Sequence, residues 1–148
     1  MILYLDTSAL LKKYFKEYAS TDVISMWKKA MAIATSSVAY AETMASIYRK
    51  KREVTMDESV FSNILNSFHR DWQSFICVEV NNNLNETIDK LVAVYPLRGF
   101  DAIHLASAMI INEKVSEDFV FTCFDNRLLL AANSEGLSTY PEKLESGS

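Results

Sequence analysis

The chain has 148 residues, 49% of them hydrophobic, with three glycines and two prolines, which suggests one compact, helix-rich domain. We expect that domain to span residues 1–144, followed by a polar tail at 145–148. No apolar run approaches the roughly 18 residues that cross a bilayer, and no secretory leader is evident, so we expect a cytoplasmic protein without membrane contact. The net charge of −4 argues against broad electrostatic binding of nucleic acid, unless metal ions neutralise clustered acids.

The first fifteen residues predict a strand, a carboxylate and the start of a helix. Residues Ile2 to Leu5 are apolar throughout, as expected for a buried central strand of a parallel sheet. Thr7 or Ser8 is expected to cap the helix that follows. Asp6 then lies at the carboxyl end of a strand, where open α/β sheets bind ligands, although Asp is also a common turn and capping residue.

A second strand followed by a helix is predicted from Met31 onward, with the helix beginning near Val38. Glu42 lies about one turn into this helix among small residues, so it either points into a cleft or pairs with Arg49 or Lys50 on the surface. The helix closes with four consecutive positive charges, which either contact phosphate or form an ordinary solvated helix end. These residues are Arg49, Lys50, Lys51 and Arg52.

The middle of the chain predicts two more helices and a third strand. A capping box of Thr55 and Glu58 is expected to open one helix, and Asn83 with Glu86 is expected to open the other. The third strand is predicted between them, at residues 75–80. Apolar residues on one face of the first of these helices form either core or a dimer surface; they are Phe61, Ile64 and Phe68.

Asp101 lies near the first turn of a helix that is apolar on almost every side and should be deeply buried. The helix dipole keeps a carboxylate ionised at that position, which suits a metal ligand or an N-cap. His104 follows one turn later, where a packed, hydrogen-bonded histidine is favoured over a metal ligand or a base.

The last part of the chain predicts a fourth strand at residues 120–124, a short helix and an edge strand at 137–140. The fourth strand ends at Asp125 and Asn126. Cys77 and Cys123 lie in apolar, strand-like runs without another Cys or His at metal-ligand spacing, so we expect buried free thiols.

Four acids are thus predicted at one edge of an α/β/α sandwich: Asp6, Glu42, Asp101 and Asp125. Carboxylates that converge in this way repel one another and raise one another's pKa unless cations are present. Oxygen ligands of this kind select Mg²⁺ or Mn²⁺. The chemistry that follows is phosphodiester hydrolysis, in which metal ions activate water and stabilise the leaving oxygen.

Four blocks of sequence, in this order and spacing, resemble PIN-domain ribonucleases of the VapC toxin type. They are LYLDTSALL at 3–11, ATSSVAYAE at 34–42, LRGFDAIHLASA at 97–108 and CFDNRLLLAANSEGL at 123–137. The resemblance runs from Met1 to about Tyr140. It implies a three-layer α/β/α sandwich with a parallel five-stranded sheet and a Mg²⁺- or Mn²⁺-dependent endoribonuclease. It also implies a homodimer and inhibition by a small antitoxin protein.

Position by position, the resemblance places the metal-binding and catalytic acids at Asp6, Glu42, Asp101 and Asp125. Ser8 matches a hydroxyl that assists the metal ligands, and Thr122 and Asn126 are weaker candidates for the same role. Arg98 lies one turn before the third acid, where it either contacts substrate phosphate or neutralises the acids.

Two other functions remain open from the sequence. One is a metal-dependent nuclease or phosphodiesterase that acts on DNA or a small phosphoester. The other is a catalytically idle fold that serves as a binding module, against which the presence of all four acids argues. The acidic pI of 5.2 leaves few basic clusters for RNA, but a narrow substrate recognised by shape needs few phosphate contacts.

Overall fold

The computed structural model describes residues 1–144 and contains a five-stranded sheet in the order β3-β2-β1-β4-β5. Every neighbouring pair of strands is parallel, as predicted. The central strand β1 pairs with β2 through Leu3 and Ile33 and with β4 through Leu3 and Val120. The strands are β1 Ile2–Leu5, β2 Ala32–Ser36, β3 Ile76–Val78, β4 Phe119–Thr122 and β5 Ser138–Tyr140.

Helices cover both faces of the sheet, which gives the predicted three-layer α/β/α architecture. They are α1 Thr7–Tyr14, α2 Ser20–Lys29, α3 Val38–Glu53, α4 Glu58–Trp72, α5 Asn85–Val94, α6 Gly99–Lys114 and α7 Asn126–Ser134, with a short 3₁₀ helix at Asn82–Leu84.

The central strand β1 is buried on both faces because its side chains alternate between two hydrophobic cores. Ile2 and Tyr4 pack into the core under α5, α6 and α7, whereas Leu3 and Leu5 pack into the core under α1, α2, α3 and α4. All four residues are at most 4% exposed. This double burial explains the continuous apolar run of the strand.

Helix α6 is buried as the sequence predicted, with seven buried residues between Ala102 and Ile111. Phe61 and Phe68 of α4 belong to the core under α1, and Ile64 packs against that core, so this face is core rather than an exposed dimer surface. Cys123 is a buried free thiol, as predicted, whereas Cys77 is only half-buried.

Several predicted helix caps are wrong. Asp6 itself caps α1, because its carboxylate accepts from the backbone N–H of Ala9; Thr7 and Ser8 lie inside the first turn. Asp57 rather than Thr55 precedes α4, and its side chain makes no capping bond. The predicted cap at Asn83 falls within the 3₁₀ helix that precedes α5. A short polar side chain favours a cap, but the backbone decides which residue takes that position.

The predicted tail at 145–148 lies outside the described residues. Within residues 1–144, no helix combines the length and the hydropathy that a membrane crossing requires.

We predict that Phe68→Ala lowers the free energy of unfolding by about 3–5 kcal/mol, because it leaves a large cavity in the core. Phe68 has no exposed surface and packs edge-to-face on Tyr14 and obliquely on Tyr40 and Trp72. Chemical denaturation measures the change. Val60→Ala on the same helix is the control, because Val60 is 46% exposed and its truncation should cost less than about 0.5 kcal/mol. Equal losses in the two variants would contradict this packing.

Candidate active site

One cavity, of about 380 Å³, opens at the carboxyl ends of the central strands. The four predicted acids, which come from segments far apart in the sequence, all line it. The parallel sheet makes this possible, because β1, β2 and β4 end at the same edge. The lining residues are Asp6, Thr7, Ser8, Glu42, Arg98, Phe100, Asp101, His104, Phe124 and Asp125.

Asp6 is the most deeply buried of the four acids, at 6% exposed. Its Oδ1 accepts hydrogen bonds from the backbone N–H of Ala9 at 2.9 Å and from the hydroxyl of Ser8 at 2.7 Å. Burial raises the pKa of this carboxyl, an effect that the two hydrogen bonds oppose. The same side chain therefore fixes the start of α1 and places in the cavity a carboxylate whose charged form burial destabilises.

Asp125 is anchored in the same way as Asp6. It occupies the N-cap of α7, where its Oδ1 accepts from the backbone N–H of Leu128 at 3.1 Å. Its Oδ2 lies 3.8 Å from Nη2 of Arg98. Both acids that follow strands thus use one oxygen to start a helix and turn toward the cavity.

Glu42 is held by two side-chain donors from other elements. Its Oε1 accepts from the hydroxyl of Thr7 at 2.6 Å and lies 3.1 Å from Nε2 of His104. Burial acts to raise the pKa of Glu42, but the hydrogen bonds from His104 and Thr7 oppose it, and the pKa is lowered. The alternative of a surface Glu paired with Arg49 or Lys50 is wrong.

Asp101 lies in the first turn of α6, and Arg98 rather than Asp101 occupies the N-cap position. Burial, followed by the charge of Asp125, raises the pKa of Asp101, and Arg98 opposes both effects. The guanidinium of Arg98 lies 3.8 Å from both Asp101 and Asp125, and its side chain is 79% exposed. Arg98 therefore neutralises part of the cluster from the solvent side.

His104 is packed and hydrogen-bonded, as the sequence favoured, and it also lines the cavity. It is 3% exposed, and its Nδ1 lies 2.9 Å from the hydroxyl of Tyr4. Its other nitrogen faces Glu42.

Several of the other predicted residues do not reach the cavity. The hydroxyl of Thr122 is buried and has no hydrogen-bond partner within residues 1–144, although its backbone oxygen accepts from the N–H of Asp6. Asn126 begins α7 and does not line the cavity, whereas Ser8 does.

The basic run at the end of α3 also lies apart from the acids. Arg49 and Lys50 line a separate cavity of about 150 Å³ beside Phe15. Lys51 pairs with Glu58 at 2.8 Å, and Arg52 is exposed. The structure thus brings none of these four residues into the acidic cavity.

Thr7, Phe100 and Phe124 line the cavity without having been predicted there. Thr7 and Phe100 each adjoin a predicted acid in the sequence, and Phe124 directly precedes Asp125. Adjacency to Asp6 could have identified Thr7, but its bond to Glu42, 35 positions away, depends on the tertiary fold.

The chemistry of the donor set fits a hard divalent cation. Four carboxylates line one cavity, and within residues 1–144 Oδ2 of Asp6 and Oε2 of Glu42 accept no hydrogen bond, so each has an oxygen available. In the part of the chain described, no three His, Cys, Asp or Glu side chains stand close enough to hold an ion without adjusting.

Both the sequence and the fold of this chain match known proteins. Residues 3–132 match the PIN domain family. Ribonuclease VapC45 of Mycobacterium tuberculosis is 28% identical over 97% of this chain and 98% of its own length.

Among solved structures, FitAcB from Neisseria gonorrhoeae has a TM-score of 0.67 at 11% identity and covers 94% of this chain and 96% of its own. VapC20 from Mycobacterium tuberculosis, a sarcin-ricin loop cleaving toxin, has a TM-score of 0.62 at 14% identity and covers 91% of this chain and 95% of its own. These two likenesses concern the fold. Since the family match spans most of the sequence, the chain belongs to the PIN domain family.

Proposed function

We propose that this protein is a divalent-metal-dependent endoribonuclease that hydrolyses RNA phosphodiester bonds. The observation that carries the proposal is the convergence of four carboxylates from four separate segments on one open cavity in a PIN domain. The relatives that match nearly the whole chain bear the name ribonuclease VapC, which favours RNA over DNA or a small phosphoester as substrate.

The proposed cofactor is Mg²⁺ or Mn²⁺, held by Asp6, Glu42, Asp101 and Asp125. When bound, such ions activate water for attack on phosphorus and stabilise the oxygen that leaves. The chain itself contributes orientation. Ser8 and the N–H of Ala9 fix Asp6, and Thr7 and His104 fix Glu42, so two of the acids are preorganised before any ligand arrives.

Arg98 is the cation best placed to contact substrate phosphate. Its guanidinium contacts two of the acids only at 3.8 Å, and the side chain is mostly exposed, so it is free to turn toward a ligand. With a divalent ion held by Asp101 and Asp125, these acids would no longer need Arg98 as a partner. The guanidinium would then be free for a bidentate contact with phosphate.

We further propose that the protein is the toxin of a type II toxin-antitoxin pair, cytoplasmic and homodimeric. The relatives share the name VapC with VapC20, which has the same fold and is a toxin, and this supports the assignment. The antitoxin partner follows from that assignment, and the dimer is proposed from the resemblance to VapC-type ribonucleases alone. Light scattering of the purified protein, alone and co-expressed with the product of any small reading frame directly upstream of its gene, measures both.

Cleavage of labelled total RNA tests the activity. With Mn²⁺ we expect discrete fragments that vanish with EDTA, and Asp6→Asn should reduce the rate at least about a hundredfold, since even partners of metal ligands cost 10- to 100-fold when lost. Asn is also a good N-cap, so this variant should keep α1 intact. Asp89→Asn on the exposed face of α5 is the matched control and should cleave normally.

Parallel reactions with single-stranded DNA and a small phosphodiester separate the alternatives. Cleavage of DNA but not RNA, dependent on Asp6, would replace the ribonuclease proposal with a DNA nuclease. RNA cleavage that persists in EDTA would refute metal dependence.

Thermal melting tests metal binding without substrate. Mn²⁺ at a hundred times its Kd stabilises the native state by about 2.7 kcal/mol, which raises the Tm by roughly 5–10 °C in a domain of this size. Asp101→Asn should shrink that rise, and Asp89→Asn should leave it unchanged. A Tm that does not respond to millimolar Mn²⁺ would show that the carboxylates do not form a metal site.

The melting temperature of the metal-free protein should also depend on pH through Asp101. Because its pKa is raised in the folded state, Asp101 contributes stability that is complete below the unfolded pKa near 3.9 and is lost as pH rises through the folded value. Asp101→Asn should therefore melt higher than the wild type at pH 7.5, and this advantage should shrink toward pH 4. An advantage that grows as pH falls would contradict the raised pKa.

A further inference from the structure

The feature that carries a further inference is a chain of hydrogen bonds from the buried core to the cavity. It begins at the hydroxyl of Tyr4 on β1, passes through the imidazole of His104 on α6 and ends at Oε1 of Glu42 on α3. The two contacts measure 2.9 and 3.1 Å, and Tyr4 and His104 are 0% and 3% exposed. Three elements that are remote in sequence therefore meet at one ring.

The surroundings of the ring select one tautomer. Tyr4 is fully buried, and an ordinary tyrosine hydroxyl has a pKa of about 10, so this phenol is neutral near pH 7. It therefore carries a proton that it can donate to Nδ1 of His104. A carboxylate oxygen accepts only, so the nitrogen that faces Glu42 has to carry hydrogen. Both contacts are satisfied when Nδ1 accepts and Nε2 donates.

The hydroxyl of Thr7 completes the arrangement around Glu42. It donates to the same Oε1 at 2.6 Å, so both donors hold one oxygen of the carboxylate. Glu42 lines the cavity, and within residues 1–144 its Oε2 accepts no hydrogen bond. One oxygen is thus used for anchoring, and the other remains for a ligand.

We propose that His104 is a positioning residue: Tyr4 holds it in the Nε2–H tautomer, and it fixes Glu42 so that Oε2 is presented to a divalent cation. In many metal sites a group that does not touch the metal orients a ligand through a hydrogen bond. Here a histidine is that supporting group, and the carboxylate of Glu42 is the proposed ligand. The inference rests on the proposed function, since it takes Glu42 as a metal ligand.

Two substitutions at position 104 separate positioning from packing. Gln places an amide N–H near the position of Nε2 and can still donate to Glu42, whereas the shorter Asn places its amide nearer to Nδ1 and does not reach that oxygen. Calorimetric titration of the metal-free variants with Mn²⁺ alone should show a 10- to 100-fold weaker Kd for His104→Asn. His104→Gln should restore the affinity to within about threefold of the wild type.

Ile111→Val is the packing control, because Ile111 is buried in the same helix and is not part of the hydrogen-bond chain. It should bind Mn²⁺ as the wild type does. Equal weakening by His104→Gln, His104→Asn and Ile111→Val would overturn the proposal, because it would assign the effect to the packing of α6. Unchanged affinity in His104→Asn would also overturn it.

Nitrogen NMR of the imidazole reads the tautomer in the metal-free protein, independently of RNA cleavage. The chain has only two histidines, so His69→Asn leaves His104 as the sole signal. We expect an unprotonated Nδ1 and a protonated Nε2. Tyr4→Phe removes the donor to Nδ1 and should let the second tautomer appear. A protonated Nδ1 with an unprotonated Nε2 in the wild type would refute the assignment.

Glu42→Gln distinguishes a failure of this inference from a failure of the proposed function. If Glu42→Gln weakens Mn²⁺ binding and His104→Asn does not, Glu42 binds metal without the help of His104. If neither variant nor Asp101→Asn changes Mn²⁺ binding, the acidic cavity is not the metal site, and the proposed function fails with the inference.

Discussion

The hydrogen bond between Asp6 and the start of α1 is the constraint on which the fold and the site both depend. Asp6 ends the most buried strand of the sheet, and its Oδ1 accepts from the backbone N–H of Ala9. Removing a good N-cap typically costs about 1 kcal/mol, and here the same oxygen also orients the carboxylate in the cavity. The path of the chain from strand to helix and the position of a charged group are therefore set by a single side chain.

Two of the other acids, Asp125 and Glu42, are also held through a single carboxylate oxygen. Asp125 starts α7 through Oδ1, and Glu42 is held through Oε1 by donors from α1 and α6. In each case the protein uses one carboxylate oxygen and leaves the second less constrained. The resulting side chains keep a defined position even though their mutual repulsion favours separation. Rigidity at the site thus comes from bonds that the fold needs in any case.

The sequence predicted the parallel sheet and the shared edge because both follow from local patterns, namely apolar strands that end in an acid and helices that begin just after them. It misplaced the caps because Thr7, Ser8 and Asp6 all suit an N-cap, and only the backbone torsions choose Asp6. The partners of Glu42 lie 35 and 62 positions away, so no periodicity in α3 could identify them. The basic run at Arg49 to Arg52 was a candidate for phosphate contact on its charge alone. It lies apart from the acidic cavity, because local charge density does not fix distance from the cavity.

The acids differ in what keeps them charged, and this difference bears on how the cavity meets a ligand. Burial raises the pKa values of Asp6 and Asp101, whereas the donors around Glu42 lower its pKa. Of these three acids, Glu42 is the one whose charge its own hydrogen-bond donors stabilise, and under the proposed function a bound cation would favour the charged forms of Asp6 and Asp101. When a cation binds near Asp6 and Asp101, Glu42 would already be ionised and held in position by its two donors. If a cation binds here as proposed, the protein supplies an ionised Glu42 and the cation relieves the repulsion among the other acids.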